Sequence, residues 1–207
     1  MHIEFLVEEP SAEAALQNLV PMICGSSTSF DIHAFRSKSD LLVKLPSRLR
    51  SYRKFLPPDW RIVVLVDEDR QDCMALKNEL ENAANEAGHL TRSGAHVQEG
   101  YRFQVLNQIA VEELEAWFFG DVQAIHQAYE KIPITLARKS AYRDPDAIKG
   151  GTWEAMEREL QKAGYFKGGL AKIKAARAIS ANMEPSRNRS RSFQVFRQGL
   201  LSIISSI

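Results

Sequence analysis

Arg61-Ile62-Val63-Val64-Leu65-Val66-Asp67-Glu68-Asp69-Arg70 decides how the rest of the chain is read. Five apolar, mostly β-branched residues in a row predict a short strand buried on both faces, as in the middle of a parallel sheet. The run stops at two acids one position apart, Asp67 and Asp69. Ligands of open α/β sheets sit just beyond the carboxyl ends of the strands, so Asp-x-Asp at that edge is a candidate divalent-metal site. Such pairs also cap helices and close turns.

The flanking sequence repeats the theme. His2 to Val7 predicts a strand that ends at Glu8-Glu9, and Pro10 suits the first turn of a helix. Leu16, Leu19, Val20 and Ile23 share one face of that helix, which Pro21 should end or kink. Phe30 to Phe35 alternates and predicts a second strand. A basic helix with Leu41, Leu42, Leu45, Leu49 and Tyr52 inward follows, interrupted at Pro46. After Asp69 a helix should run to about Ala87, with Gly88 as its C-cap. Residues 88–100 are loop-like. Tyr101 to Val111 is mixed but ends in a fourth strand, Ile109-Ala110-Val111, and a helix begins at Glu112. This β-α-β-α-β-α-β-α order predicts an α/β fold: a central, Rossmann-like parallel sheet of about four strands with helices on both faces.

From Pro133 the texture changes to a basic, helical C-terminal lobe. Thr152 reads as the N-cap of one helix, Leu170, Ile173 and Ala176 mark a second, and Phe193, Phe196 and Leu200 a third. The expected organisation is an α/β catalytic domain over 1–130 and a basic helical lobe over 131–207 packed on it.

Charge follows the same division. The 207 residues carry a formal net charge of +1. Residues 1–130 hold 12 Lys+Arg against 20 Asp+Glu, and residues 131–207 hold 15 against 6. An acidic focus with basic flanks suits a metal-dependent enzyme acting on a polyanion, although a basic tail is also an ordinary solvated surface. Phosphate contacts are expected from the basic stretch Arg36 to Lys54 and from the Arg-rich turn Ser186 to Ser192, through Lys38, Arg48, Arg187, Arg189 and Arg191.

Other chemistries are unsupported. The two cysteines, Cys24 and Cys73, form no CxxC or Cys/His cluster. GxGxxG, GxxxxGK[ST], HExxH and GxSxG are all missing. His2 and His33 fall in predicted strands and read as structural. The early acids of the N-terminus argue against a signal peptide and no apolar run reaches membrane-spanning length, so a cytoplasmic protein is expected.

Three strands thus hand acids to one edge: Glu8, then Asp67 and Asp69, then Glu113 and Glu115. Packed carboxylates raise one another's pKa, and a hard cation such as Mg²⁺ or Mn²⁺ resolves that conflict.

These residues resemble known motifs. Val7-Glu8-Glu9-Pro10-Ser11-Ala12-Glu13 is similar to the first motif of Toprim domains, and Val66-Asp67-Glu68-Asp69 to their Asp-x-Asp motif. Glu113-Leu114-Glu115-Ala116-Trp117 resembles a helix start found in Toprim nucleases of the OLD and RloB type. Overall the chain is similar to a bacterial family of small Toprim-like proteins that neighbour ABC- or AAA-type ATPases in phage-defence loci. The Toprim-like part covers roughly residues 1–125; Ser186 to Phe196 resembles that family's ending. Glu9 stands where these domains carry glycine, and Ser37-Lys38-Ser39 where glycine follows the second strand.

The resemblance implies a Mg²⁺- or Mn²⁺-dependent nuclease on DNA or RNA, the effector of an anti-phage system with an ATPase partner, and it admits a homodimer. It makes Glu8 a metal ligand or general base and Asp67 and Asp69 metal ligands, with Glu13 and Glu115 serving a second ion. Lys172 or Lys174 would stabilise charge on the scissile phosphate. Two other readings follow: a non-enzymatic Toprim-like subunit regulating an ATPase, and a haloacid-dehalogenase-type phosphatase. The phosphatase is disfavoured because Gln71 stands where that motif carries Thr or Val.

Overall fold

The computed structural model describes residues 1–95 and 103–205. Four parallel strands form one sheet: β1 (His2–Val7), β2 (Ser29–Ala34), β3 (Trp60–Asp67) and β4 (Val105–Ala110). Their spatial order is β2-β1-β3-β4. Val7 lies beside both Ala34 and Leu65, and Asp67 lies beside Ala110. The expected α/β fold is observed.

The connections are α1 (Pro10–Cys24), α2 (Lys38–Phe55), α3 (Cys73–Glu86) and the short α4 (Arg92–Ala95). Beyond β4 the chain is helical: α5 (Glu115–Gly120), α6 (Val122–Ala128), three 3-10 turns between 134 and 147, α7 (Thr152–Lys162), α8 (Lys172–Ser180) and α9 (Arg191–Ser205). No helix among the described residues is long and apolar enough to cross a membrane.

Alternation along the strands splits the core into two layers. Ile3, Phe5, Val7, Val63, Leu65 and Leu106 share one apolar cluster with α1, α5, α8 and α9. Leu6, Ile62, Val64 and Val66 share the other with Leu41, Leu45 and Leu49 of α2 and Leu76 and Leu80 of α3. Each such side chain contributes about 1.5–3 kcal/mol by leaving water. The C-terminal helices belong to the first layer, with α8 lying along α1 and α9 crossing α1 and β4. Gly199 of α9 sits so close to β4 that a Cβ there would stand 2.8 Å from Leu106 Cδ2.

Several boundaries differ from expectation, each for a physical reason. Neither Pro21 nor Pro46 ends its helix: α1 continues to Cys24 and α2 to Phe55. Burial of Leu19, Val20 and Ile23 around the first, and of Leu45 and Leu49 around the second, outweighs one lost main-chain bond. β4 starts at Val105 rather than Ile109, because Val105 to Asn107 pair in register with Ile62 to Val64. The buried Asn107 that hides this strand is partly paired there: its main-chain carbonyl accepts from Lys77 Nζ (2.6 Å) and its side-chain amide donates to Glu81 (3.1 Å). The helix expected from Glu112 begins at Glu115, since Glu112 adopts φ +60°. The segment expected as loop over 88–100 contains α4; residues 96–102, with Tyr101, lie outside the described residues.

Candidate functional site

Strand order reverses between β1 and β3, and the helices that follow them, α1 and α3, pack on opposite faces of the sheet. That arrangement opens a crevice outside the carboxyl ends of β1 and β3. Glu8 is the first residue past β1 and Asp67 closes β3, so the sheet itself brings them together. The Asp67 amide donates to Glu8 Oε2 at 3.1 Å.

The loops beyond β3 and β4 are laced together. Glu68 N–H donates to the Ala110 carbonyl (2.9 Å), Asp69 N–H to the Glu112 carbonyl (3.0 Å), and Glu112 N–H to Glu68 Oε2 (3.1 Å). Asp69, Arg70 and Glu112 hold left-handed backbone at φ +50°, +61° and +60°. Such backbone costs roughly 1–2 kcal/mol per non-glycine residue and gathers where loops are shaped for a ligand.

The electrostatics are those of a crowded acidic site. Burial, then the charges of Glu8, Glu115, Glu9 and Asp69, push the Asp67 carboxyl well above the usual carboxylate range. Burial also raises Glu8, opposed by the Asp67 amide and reinforced by Asp69. Glu115, the first residue of α5, is 2% exposed, and its Oε2 is buried without a hydrogen-bond partner. Burial raises its pKa to about 7, against the pull of Lys172.

Two lysines enter this edge. Lys172 opens α8, its Nζ 3.9 Å from Glu9 Oε1 and 5.2 Å from the centre of the Trp153 ring. Burial acts to lower the Lys172 ammonium, but Glu115, Glu9, Glu113 and Asp67 outweigh it and raise its pKa. It borders a groove of about 530 Å³ whose other cations are Lys174 and Arg177. Lys38 opens α2, with its side chain 8% exposed and its Nζ 2.9 Å from Asp69 Oδ2 and 3.1 Å from the Glu68 carbonyl.

Glu8, Asp67, Asp69, Glu115 and Lys172 therefore converge on one edge. Glu13 lies half-buried in the first turn of α1, without an ion pair or hydrogen bond to them. Among the described residues, the trio whose ligand atoms all lie within 4.8 Å of one another is at the other end of the sheet, His2, Glu4 and Asp31. At the carboxyl edge Asp69 is turned to Lys38, so one ion on Glu8, Asp67 and Asp69 together requires that pair to open.

The expected phosphate contacts divide. Lys38 is corrected: Asp69 and the Glu68 carbonyl draw its ammonium inward, away from solvent. Arg187 is already engaged, its guanidinium gripping the almost wholly buried Asp121 through Nε (3.0 Å) and Nη2 (2.8 Å) while its side chain remains 40% exposed. The rest of that turn is likewise built inward. Asn188 donates to the Trp117 carbonyl (2.7 Å), and Asp146 accepts from Ser190, Arg191 and Ser192 at the start of α9. Arg48 is exposed over the Tyr52 ring, and Arg189 and Arg191 are exposed beside the turn. None of the three touches the carboxylates.

Glu113 serves structure. Its Oε2 accepts from Thr152 N–H (2.8 Å), Thr152 Oγ1 (2.7 Å) and Trp153 N–H (2.9 Å), so it caps α7 from a distance. Thr152, expected as the cap, is the first helical residue. Sequence reasoning missed this role, the inward turn of Lys38 and the Glu9–Lys172 approach. Ser37-Lys38-Ser39 in place of glycine was a visible signal for Lys38; Ser37 caps α2 by accepting from Asp40 N–H at 3.2 Å.

A family model described as a domain of unknown function (DUF4276) matches residues 7–201. No curated protein and no solved structure matches the chain.

Proposed function

The chain belongs to the DUF4276 family, and from the carboxylates gathered at its sheet edge we propose that it is a Mg²⁺- or Mn²⁺-dependent nuclease hydrolysing phosphodiesters of DNA or RNA. The observation that carries this reading is Glu115: an almost fully buried carboxylate with an unpartnered oxygen, beside Asp67, whose own charge is also disfavoured. An acidic site of this kind fits a hard cation with oxygen ligands. Glu8, Asp67 and Glu115 would hold it, joined by Asp69 once Lys38 lets go, with Glu13 the weaker candidate. When bound, the ion supplies a Lewis acid for the phosphodiester and acidifies a water ligand.

The chain's own groups do the rest. Burial raises the Glu8 carboxyl and the Asp67 amide fixes it, which suits a general base. Lys172 stays an ammonium among its carboxylates and faces charge on the substrate. Lys174 and Arg177 continue the groove and would hold flanking phosphates, which positions a polyanion without reading its sequence.

In this reading the chain acts in phage defence with an ABC- or AAA-type ATPase. A second reading rests on the Lys38–Asp69 pair, which neutralises part of the acidic edge from within, as a non-catalytic Toprim-like subunit of an ATPase complex would. One experiment separates them. Purified chain is incubated with plasmid DNA or tRNA and Mn²⁺, beside the Asp67→Ala/Asp69→Ala variant. Cleavage by wild type alone supports the nuclease. Identical behaviour of the two proteins sinks it, and co-purification with an ATPase then favours the regulatory subunit.

A further inference from the structure

The amino ends of β1 and β2 carry a second cluster of ionisable groups, at the opposite end of the sheet from the acidic edge. The register sets His2 beside Ser29 and Glu4 beside Asp31. Alternation then puts His2, Glu4, Asp31 and His33 on one side of the sheet. Glu4 is 6% exposed. Its Oε2 accepts from Tyr52 OH at 2.8 Å and lies 2.6 Å from His33 Nε2. Burial acts to raise the Glu4 carboxyl, but the bonds from Tyr52 and His33 outweigh it and hold its pKa below the ordinary value.

The other oxygen of Glu4 faces His2. His2 Nε2 lies 3.3 Å from Glu4 Oε1 and 3.6 Å from Asp31 Oδ2. Ser29 Oγ lies 3.0 Å from His2 Nδ1 and 3.2 Å from the Met1 carbonyl, which holds the ring from its far side. His2 Nε2 is buried without a hydrogen-bond partner. One ring nitrogen and two carboxylate oxygens therefore face one point.

The spacing says what belongs there. A direct charge-assisted N–H···O bond is about 2.7–2.9 Å, shorter than either separation. A tetrahedral ion with bonds of about 2.0–2.1 Å has ligand–ligand edges of roughly 3.3 Å, close to both. One imidazole nitrogen with two carboxylate oxygens is a donor set for zinc and its neighbours rather than for Mg²⁺ or Ca²⁺. The ring is already oriented, lying 4.0 Å from the Trp60 ring.

We propose that His2 Nε2, Glu4 Oε1 and Asp31 Oδ2 bind one divalent ion of the zinc class, water completing the shell. Ser29, Tyr52 and His33 are positioning residues that fix the ligands from behind. The ion pins β1 to β2, an edge strand joined to the sheet on one side only. Both histidines, read from sequence as filling the fold, acquire distinct tasks.

The test uses full-length chain without a histidine tag, stripped with chelator and titrated with Zn²⁺ by calorimetry and with Co²⁺ by visible absorption. Asp31→Asn is the main variant because Asp31 is 70% exposed and its loss leaves the core intact; circular dichroism checks the fold. The expected result includes one site, distinct from the carboxyl edge, that gives the intense absorption of four-coordinate Co²⁺ and that Zn²⁺ displaces. Asp31→Asn and His2→Gln each weaken it by at least ~10-fold, and Asp67→Asn leaves it unchanged. Three results would overturn the proposal: no Zn²⁺ binding by wild type, binding that survives both Asp31→Asn and His2→Gln, or binding that Asp67→Asn alone removes.

Discussion

The main-chain N–H of Asp67 points at the carboxylate of Glu8 across 3.1 Å, so the end of β3 holds the side chain that follows β1. A carboxamide oxygen can accept the same bond but cannot take a proton. Glu8→Gln should therefore leave urea stability within about 1 kcal/mol of wild type while lowering single-turnover cleavage by roughly 10²-fold or more. Equal loss of stability and activity would assign Glu8 to the fold alone.

Glu115 makes stability depend on pH when divalent ions are chelated. Its pKa is raised to about 7, so the native state favours the protonated form. That contribution is complete below the ordinary glutamate range and is lost as pH rises through about 7. The span corresponds to a loss on the order of 3 kcal/mol. The raised carboxyls of Asp67 and Glu8 act in the same direction. Urea unfolding from pH 5 to 8 should show the decline, and Glu115→Gln should flatten much of it. A curve unchanged by that substitution would refute the assignment.

Lys38 restrains Asp69. Lys38→Met removes the ion pair and one of the two hydrogen bonds to the Glu68 carbonyl, which keeps the Gln71 N–H, and should cost about 1–3 kcal/mol in chelated protein. Freed from the ammonium, Asp69 becomes available as a ligand, and Mn²⁺ binding followed by electron paramagnetic resonance should tighten several-fold. Unaltered Mn²⁺ affinity would remove Asp69 from the ligand set.

Arg187 should behave as a strut. Its planar fork meets both oxygens of Asp121, which lysine cannot reproduce. Arg187→Lys is expected to cost about 2–3 kcal/mol, below the 3–5 kcal/mol of a fully buried pair because Arg187 is 40% exposed. Arg189→Lys, on the same turn but exposed, should change stability by less than about 0.5 kcal/mol. Thermal unfolding of both variants decides between a strut and a phosphate contact.

The parallel sheet was legible because β3 is a continuous apolar run and β1 carries Ile3, Phe5 and Val7, both leading into acid, and the pleat leaves few other solutions. The position of Glu8 beside Asp67 followed from strand direction alone. What stayed hidden depends on contacts between distant segments. Asn107 looks like a strand breaker until its main-chain carbonyl is seen to accept from Lys77 and its side-chain amide to donate to Glu81. Glu113 looks like its neighbour Glu115, yet one caps α7 and the other keeps a bare oxygen at the edge. Arg187 looks like a surface charge because Asp121, its partner, lies 66 residues away. Local pattern carries helix and strand type, whereas the use of a charged side chain is set by whatever the fold brings next to it.

The crossing of α9 over β4 has a consequence for how the molecule is made. β4 leaves the ribosome with residues 105–110, but the helix that covers Leu106 begins at residue 191. At 5–20 residues per second the inner face of that strand waits on the order of 4–20 s for its cover. Until then Leu106 is a bare apolar surface on an edge strand, open to chaperones, to proteases and to other nascent chains. The acidic edge is tied to the same strand through Ala110, so its final shape comes only when synthesis is nearly over. The nuclease activity proposed above would thus be withheld from the growing chain by the order of its own residues.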